Sequence, residues 1–473
     1  MESIVMTNEP GCAPTGVIRQ KDIPPFPFSQ HPAFLLWIMT GVIAGLMTAC
    51  AAPDHGRRTI RDLQTIPQNA SIAREDTPSV ILPAVAQETA AQDYLTHFFS
   101  PWNINGSTLY TREKLLGATT DFQNKPLVGE NLNPWPRGRL EHLIAQYDLA
   151  SFPNAHARAI TIQDTPIRAL PSNHPGFYPF DRPGEGYPFD YLQYSVLWAG
   201  TPIHICHIAV NRAWALVEAG FVHGWMPVSN LAFVDASFVK RFQSIHCAVP
   251  LQDTVPLIDT EGVYRFMTHI GALYPVEANA QGRETILLPA ADASRHALLV
   301  RADMPADTMA TYPLPLTRTN QAALAQQLLG QAYGWGGMYF NRDCSAMTRD
   351  FMGSFGIWLP RNSSQQAKQG HIIALAGMPA AQKEDIIQKQ GIPFQTLIWM
   401  PGHVTLYIGQ YQGHALIMHN TWGLKTRTWS GKEGRQVIGK TVITTLEPGA
   451  ELPDLDRPKG LLINKVTGMS ILP

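Results

Sequence analysis

Tyr333-Gly334-Trp335-Gly336-Gly337 leads into Asn341-Arg342-Asp343-Cys344-Ser345-Ala346-Met347, and the reading of the whole chain turns on this stretch. From Cys344 onward Met347, Phe351, Met352 and Phe355 recur at helical spacing, with Asp343 suited to the N-cap and Gly356 to the stop. A thiol in the first turn faces unsatisfied backbone N–H groups and the positive end of the helix dipole. The spacing therefore predicts a lowered thiol pKa and a nucleophile at Cys344.

A nucleophile of this kind needs a base and a group to orient it. Gly402 to Ile408 reads as one strand and His414 to His419 as the next, with a Gly-flanked turn around Tyr411. A hairpin centred on Tyr411 sets His403 directly opposite His419, with Cβ atoms about 4.5–5.5 Å apart. His403 then exchanges a proton with Cys344 while His419 fixes its tautomer. The developing oxyanion is expected to meet the backbone N–H of Cys344 and its neighbours at the helix start. The chain has no His-Glu-x-x-His and no Cys-x-x-Cys, so neither a metal nor another cofactor is expected. Gly434 to Thr441 fits the phosphate-loop pattern, but β-branched Val442-Ile443-Thr444-Thr445 follows where a helix is required, and no nucleotide is expected.

Upstream the texture changes. The chain has 473 residues, with 36 Lys+Arg against 37 Asp+Glu, a balance that excludes a basic nucleic-acid surface and an acidic tail. Helical periodicity marks Asp93 to Phe99 and Arg139 to Leu149. From Phe152 short alternating runs separated by Gly and Pro predict a small antiparallel barrel, closing near His223-Gly224-Trp225-Met226-Pro227. A fainter copy runs from Val249 to Ala302, with strands near Val255–Ile258, Gly271–Val276 and Glu284–Leu288. The loop Asn173 to Gln193 concentrates Phe177, Tyr178, Phe180, Tyr187, Phe189 and Tyr191, either as a binding platform or as cover for the barrel's own core. Cys206 and Cys247 sit in apolar strand-like runs and read as buried core residues, with a disulfide between them left open.

The first fifty residues read as an address. Ala33 to Ala49 is uncharged and largely apolar, Arg19 and Lys21 precede it, and Leu46-Met47-Thr48-Ala49-Cys50 follows the pattern of a lipoprotein cleavage site. Lipidation at Cys50 and a membrane-anchored, exported protein are expected, with an uncleaved apolar anchor as the alternative. Residues 51–87 lack periodicity and read as a linker, with a reach of about 35 Å.

Tyr333 to Gly337, Asp343 to Ser345, Leu359-Pro360-Arg361, Ser363, Gln365-Gln366, Gly402 to Ile408 and His419-Asn420 with Trp422 together resemble the NlpC-type cell-wall peptidases, which are papain-like cysteine enzymes. The upstream barrels, with Pro188 to Gln193, are similar to those of the multi-domain γ-D-glutamyl-L-diamino-acid endopeptidases. This resemblance implies a leader at 1–50, a linker at 51–87, a helical stabilising segment at 88–151, SH3-like barrels at 152–240 and 241–305, and an α+β papain-like domain at 306–473. It implies Cys344 as nucleophile, His403 as base and His419 as orienter, acting on peptidoglycan stem peptides or muropeptides. It further implies that Asp343 and Ser345, with Tyr187 or Tyr191, hold the free amine of a terminal L-alanine, and that Trp335 lines the groove. Ala346 departs from the glycine usual after Asp-Cys-Ser, and the insertion His371 to Gln395 is long. Two other readings stand beside it: a non-catalytic wall-binding lipoprotein, and a thiol enzyme that transfers acyl groups or cuts another amide.

Overall fold

The structure is a computed structural model that describes residues 59–72, 84–104, 110–124, 126–136, 138–181, 184–278 and 282–473. The expected leader and its Cys50 lie outside the described residues. No helix among the described residues is long and apolar enough to cross a membrane. A helical N-terminal region, two SH3-like barrels and a sheet-rich papain-like α+β domain follow one another along the chain.

The N-terminal region is built on the helix Ala84–Phe99, which is longer than its periodicity predicted. Ala91, Tyr94, Leu95, Phe98 and Phe99 fall on one face and are buried in the same apolar cluster as Met347, Phe351 and Phe355. The helix Arg139–Ala145 stops short of the expected Leu149. A third helix, Arg112–Asn124, escaped the sequence reading because Gly117, Thr119 and Thr120 are poor helix formers.

The first barrel is a seven-stranded sheet spanning Ala157 to Phe233. Trp225, on the strand His223–Pro227 that closes the barrel as expected, is buried and stacks on Tyr147 of the helical region. In the second barrel the strands Val255–Ile258, Tyr274–Ala278 and Glu284–Ala291 lie near their expected places. A further strand, Met309–Thr311, pairs with Cys247–Pro250 and carries this barrel past residue 305. Cys206 and Cys247 are both buried thiols, so the disulfide left open does not form.

The papain-like domain carries a six-stranded antiparallel sheet in the spatial order His371–Ala374, Gly468–Ile471, Thr396–Met400, His403–Tyr411, His414–Arg427, Glu433–Thr444. The insertion contributes the first of these strands and the helix Ala380–Gln390, whose Ile387 packs on the sheet core. Against the sheet lies the helix Cys344–Ser354, every residue of which is buried. Burying charge is tolerable only in pairs. Asp350 accordingly meets Arg342 at 2.8 Å and Arg349 at 2.6 Å, Arg342 reaches Asp253 of the second barrel at 2.7 Å, and Trp198 of the first barrel donates to Asp350 at 3.1 Å. This network fixes both barrels to the helix that begins at Cys344.

Within the stretch expected to be a free linker, residues 59–72 are instead a strap on the papain-like domain. Ile60, Ile66 and Ala70 are buried, and Asp62 accepts hydrogen bonds from both N and Oγ1 of Thr445 at 2.8 Å. Gln68 donates to the Ile443 carbonyl and accepts from its N–H, both at 2.9 Å. The strap is too short for periodicity to register, and its purpose is local: one amide side chain satisfies the open edge of the Glu433–Thr444 strand.

Candidate active site

Asp343 adopts extended backbone and its Oδ1 accepts from the Ala346 N–H at 2.8 Å, so the helix starts at Cys344 as its sequence requires. His403 is delivered by a tight turn, Met400-Pro401-Gly402-His403, in which Gly402 takes a φ of 77°. Pro followed by a left-handed Gly is the signature of a type II turn.

The hairpin differs from the one expected. Its turn is Gln412-Gly413, with Tyr411 paired to His414, and a bulge at Ile408 shifts the register so that Tyr407 faces Ile417 and Leu406 faces Met418. His403 and His419 are therefore diagonal neighbours, not directly opposed. Their long rings still meet: His403 Nε2 lies 2.9 Å from His419 Nδ1. Diagonal residues on one face stay within reach of long side chains.

The proton positions follow from the far end of this chain. The Thr445 carbonyl can only accept, so the Thr444 hydroxyl, 2.7 Å away, donates to it. The Thr444 oxygen then accepts from His419 Nε2 at 3.2 Å. His419 is fully buried, and burial followed by the neighbouring His403 holds its pKa well below the ordinary value. A neutral His419 with its proton on Nε2 has a bare Nδ1, so His403 must donate from Nε2. That leaves His403 Nδ1 as a lone pair.

Burial, then Lys465, lowers the His403 pKa to about 3. The Cys344 thiol is pushed up to about 12, by burial first and the Asp343 carboxylate second, with the Val404 N–H, Arg361 and the Ser345 N–H pulling it partly back. This corrects the thiolate expected from the helix start. Taking the sulfur out of water beside a carboxylate outweighs the helix dipole, and the resting pair is neutral thiol and neutral imidazole.

Cys344, His403, Asp343, Ser345, Trp335 and Tyr191 line one cavity of about 620 Å³. His419 stands behind His403. Of the two tyrosines left open, Tyr191 is in the wall, whereas Tyr187 is half exposed, its ring edge-on to Trp422. Phe189, Trp335 and Trp422 form aromatic walls. Asp343 is saturated: Oδ1 also meets Ser345 Oγ and Arg361 at 3.1 Å, and Oδ2 meets Arg361 at 2.6 Å and the Gly336 N–H at 3.1 Å. Arg361 in turn donates to Ser345 Oγ at 2.9 Å and to Ser195 Oγ of the first barrel at 2.8 Å.

Three polar residues at the site escaped the sequence reading. Arg435 and Lys465 line the cavity; Arg435 was concealed in the phosphate-loop look-alike, which lies within an edge strand. Glu185 accepts from the Tyr191 hydroxyl at 2.7 Å. Its place six residues before Tyr191 on the aromatic loop was the available signal.

Four family descriptions match the chain: an N-terminal NLPC_P60 stabilising domain over 33–152, SH3 domains of the SH3b1 and SH3b2 types over 175–227 and 235–280, and the NlpC/P60 family over 330–436. Among solved structures, an NlpC/P60 endopeptidase from Photobacterium damselae subsp. piscicida is 26% identical, with a TM-score of 0.76 over 86% of this chain and 97% of its own. An NlpC/P60 family protein from Bacillus cereus is 16% identical, with a TM-score of 0.45 over 67% of this chain and all of its own. No curated protein matches the chain.

Proposed function

The chain carries an NlpC/P60 domain behind two SH3 domains and an N-terminal stabilising domain, and from that premise we propose that it hydrolyses the amide between the γ-carboxyl of D-glutamate and the diamino acid of peptidoglycan stem peptides. The observation that supports this reading is the directed chain His403, His419, Thr444, which leaves one imidazole lone pair on a residue that lines the same cavity as Cys344. A scaffold that only binds wall has no use for a tautomer fixed in this way.

In the proposed mechanism His403 Nδ1 takes the Cys344 proton as sulfur attacks the amide carbon. The oxyanion meets N–H groups of the first helical turn, which lack intrahelical acceptors. His403 then gives the proton to the departing amine of the diamino acid, leaving a thioester. Water attacks that thioester, with His403 taking its proton, and the glutamyl carboxylate leaves as the thiol is restored. Arg435 and Lys465 suit the carboxylates of the stem peptide, and the aromatic walls exclude water from the cleft.

Preference for a free L-alanine amine is part of the proposal, with one change of partner. Asp343 has no acceptor to spare and is matched by Arg361, so Tyr191 with Glu185 is the pair that meets the amine, and Asp343 and Ser345 hold the wall they stand on. A charged hydrogen bond of this kind is worth about 1.5–3 kcal/mol. Comparing kcat/KM on free and N-acetylated L-Ala-γ-D-Glu-diaminopimelate, with products read by mass spectrometry, should give a ten- to hundredfold penalty for acetylation (~1.4 kcal/mol per tenfold). Glu185→Gln should erase that penalty, whereas Asp343→Asn should depress turnover of both peptides alike. Absence of any penalty in the wild type would mean that intact wall is the substrate; absence of turnover in the wild type, with Cys344→Ala no different, would leave only the binding reading. Export and a lipid anchor at Cys50 complete the proposal, and Cys50→Ala should release the protein from membranes.

A further inference from the structure

A second cavity, of about 590 Å³, opens where the first barrel, the second barrel and the papain-like domain meet. It shares no lining residue with the Cys344 cavity. Its volume is in the usual range for ligand sites, about 300–1,000 Å³.

The rim is aromatic and wet. Tyr264 is 55% exposed, Tyr339 71% and Phe340 45%, and all three line this one opening. Tyr339 and Phe340 are consecutive and both left-handed, with φ of 55° and 62°. Side chains with a Cβ resist that region. Such strain persists only where the surroundings impose it. Here the turn is pinned from behind: a Cβ on Gly336 would come within 2.2 Å of the Gln193 carbonyl, and one on Gly337 within 2.5 Å of Val196. The fold thus bears strain to hold two rings in solvent, which contributes nothing to its core.

The floor is polar and holds one unsatisfied donor. His269 is 5% exposed and its Nε2 lies 2.8 Å from Asp164. Its Nδ1 makes no hydrogen bond; Asp253 Oδ1 stands 3.8 Å away, an ion-pair distance and no more. Burial pulls the His269 pKa down, but the two carboxylates outweigh it and raise it to about 9, so both ring nitrogens carry protons. The Nδ1 is closed to solvent, with Asp253 beside it and Trp198 stacked on the ring, so His269 shapes the floor.

The charges around the floor cancel. Asp164 and Asp253 face His269 and Arg342, and Arg265 is paired with Asp259. No net field favours an anion or a cation. What remains is a mixture of amide and hydroxyl groups from Gln163, Thr254, Gln331 and Asn341 beneath flat apolar rings.

A neutral ligand with many hydroxyl or amide groups and flat C–H faces satisfies all of these conditions at once, and we propose that this cavity binds the N-acetylated amino-sugar strand of the wall glycan. A sugar ring stacks on Tyr339 and Phe340, and its hydroxyl and acetamido groups meet the side chains of Gln163, Thr254, Gln331 and Asn341. Glycan held here leaves the Cys344 cavity free for a stem peptide. The inference adds a ligand to the proposed activity and does not need that activity to be tested.

The full-length Cys344→Ala protein, which cannot turn over substrate, is titrated calorimetrically with peptide-free β-1,4-linked N-acetylglucosamine oligomers. Saturable binding is expected, weakened about tenfold or more by Tyr339→Ala and by Tyr264→Ala. Both positions are on the exposed rim, so unchanged melting temperatures verify the fold. Lack of saturation, or saturation indifferent to Tyr339→Ala, overturns the proposal. So does a sugar-free stem peptide that binds at this cavity with the same Tyr339 dependence, because the site would then be a peptide site. A Tyr339→Ala enzyme with Cys344 intact should cleave soluble tripeptide normally and co-sediment less with intact sacculi; failure of the wild type to cleave tripeptide would remove the peptidase reading while leaving the titration to stand.

Discussion

Thr444 reaches His403 only through His419, yet it decides which nitrogen of His403 is free. Thr444→Val should lower kcat by roughly ten- to a hundredfold with KM little changed, and Thr444→Ser should restore it, as expected of a group that orients a catalytic imidazole. His419→Gln should keep partial activity, and His403→Ala none. The neutral resting pair has its own signature. With the thiol near 12 and His403 near 3, the thiolate fraction of Cys344 grows tenfold per pH unit across the neutral range. Iodoacetamide labelling of Cys344 should climb with the same slope between pH 6 and 8, whereas a preformed thiolate–imidazolium pair would label at a constant rate. Cys206 and Cys247, both fully buried, should stay unlabelled until the protein unfolds. Burial of neutral His403 also bears on stability. Its folded pKa is depressed below the ordinary 6.5, so the unfolded chain binds the proton more readily and stability falls as pH drops from about 6.5 toward 3. Urea midpoints across that window test the sign.

The helix Cys344–Ser354 holds its place through charge as well as grease. Arg342 is the hub between Asp253 and Asp350, and removing one partner of a buried pair leaves the others uncompensated, at a cost of about 3–5 kcal/mol. Arg342→Leu should therefore lower the unfolding free energy by that amount, measured by denaturant titration, and loosen both barrels from the helix. None of this network was legible in the sequence, because Asp253, Trp198 and Arg342 are joined only by tertiary packing. The helix itself was legible, since Asp343, the apolar spacing and Gly356 are local signals that agree with one another. The hairpin was half legible. Its strands and its two histidines were evident, but the turn falls at Gln412-Gly413, which moves the pairing by three residues, and the bulge at Ile408, which leaves no mark in composition, takes one back. Asp343 read correctly as a cap, while its saturation by Arg361 depended on a residue eighteen positions away folding back onto it.

Across the whole molecule, the order of domains followed from motif spacing and turn texture, whereas the strap at residues 59–72 did not, because its meaning lies in an edge strand almost four hundred residues downstream. Asp62→Ala with Gln68→Ala should cost about 1–3 kcal/mol by leaving polar groups of Ile443 and Thr445 unpaired, and the bared edge should promote self-association, measurable by light scattering. The same placement orders events in time. A ribosome delivers the strap early and the Glu433–Thr444 strand late, and the strand Gly468–Ile471, later still, is laid between His371–Ala374 and Thr396–Met400 in the interior of the sheet. Until residue 471 has emerged the sheet has a gap, and until the strap finds Thr445 the residue that terminates the proton chain is not anchored. A chain that ends before residue 471 should thus carry the Cys344 thiol on a helix whose facing sheet is incomplete, and truncation there should abolish turnover if the proposed activity holds.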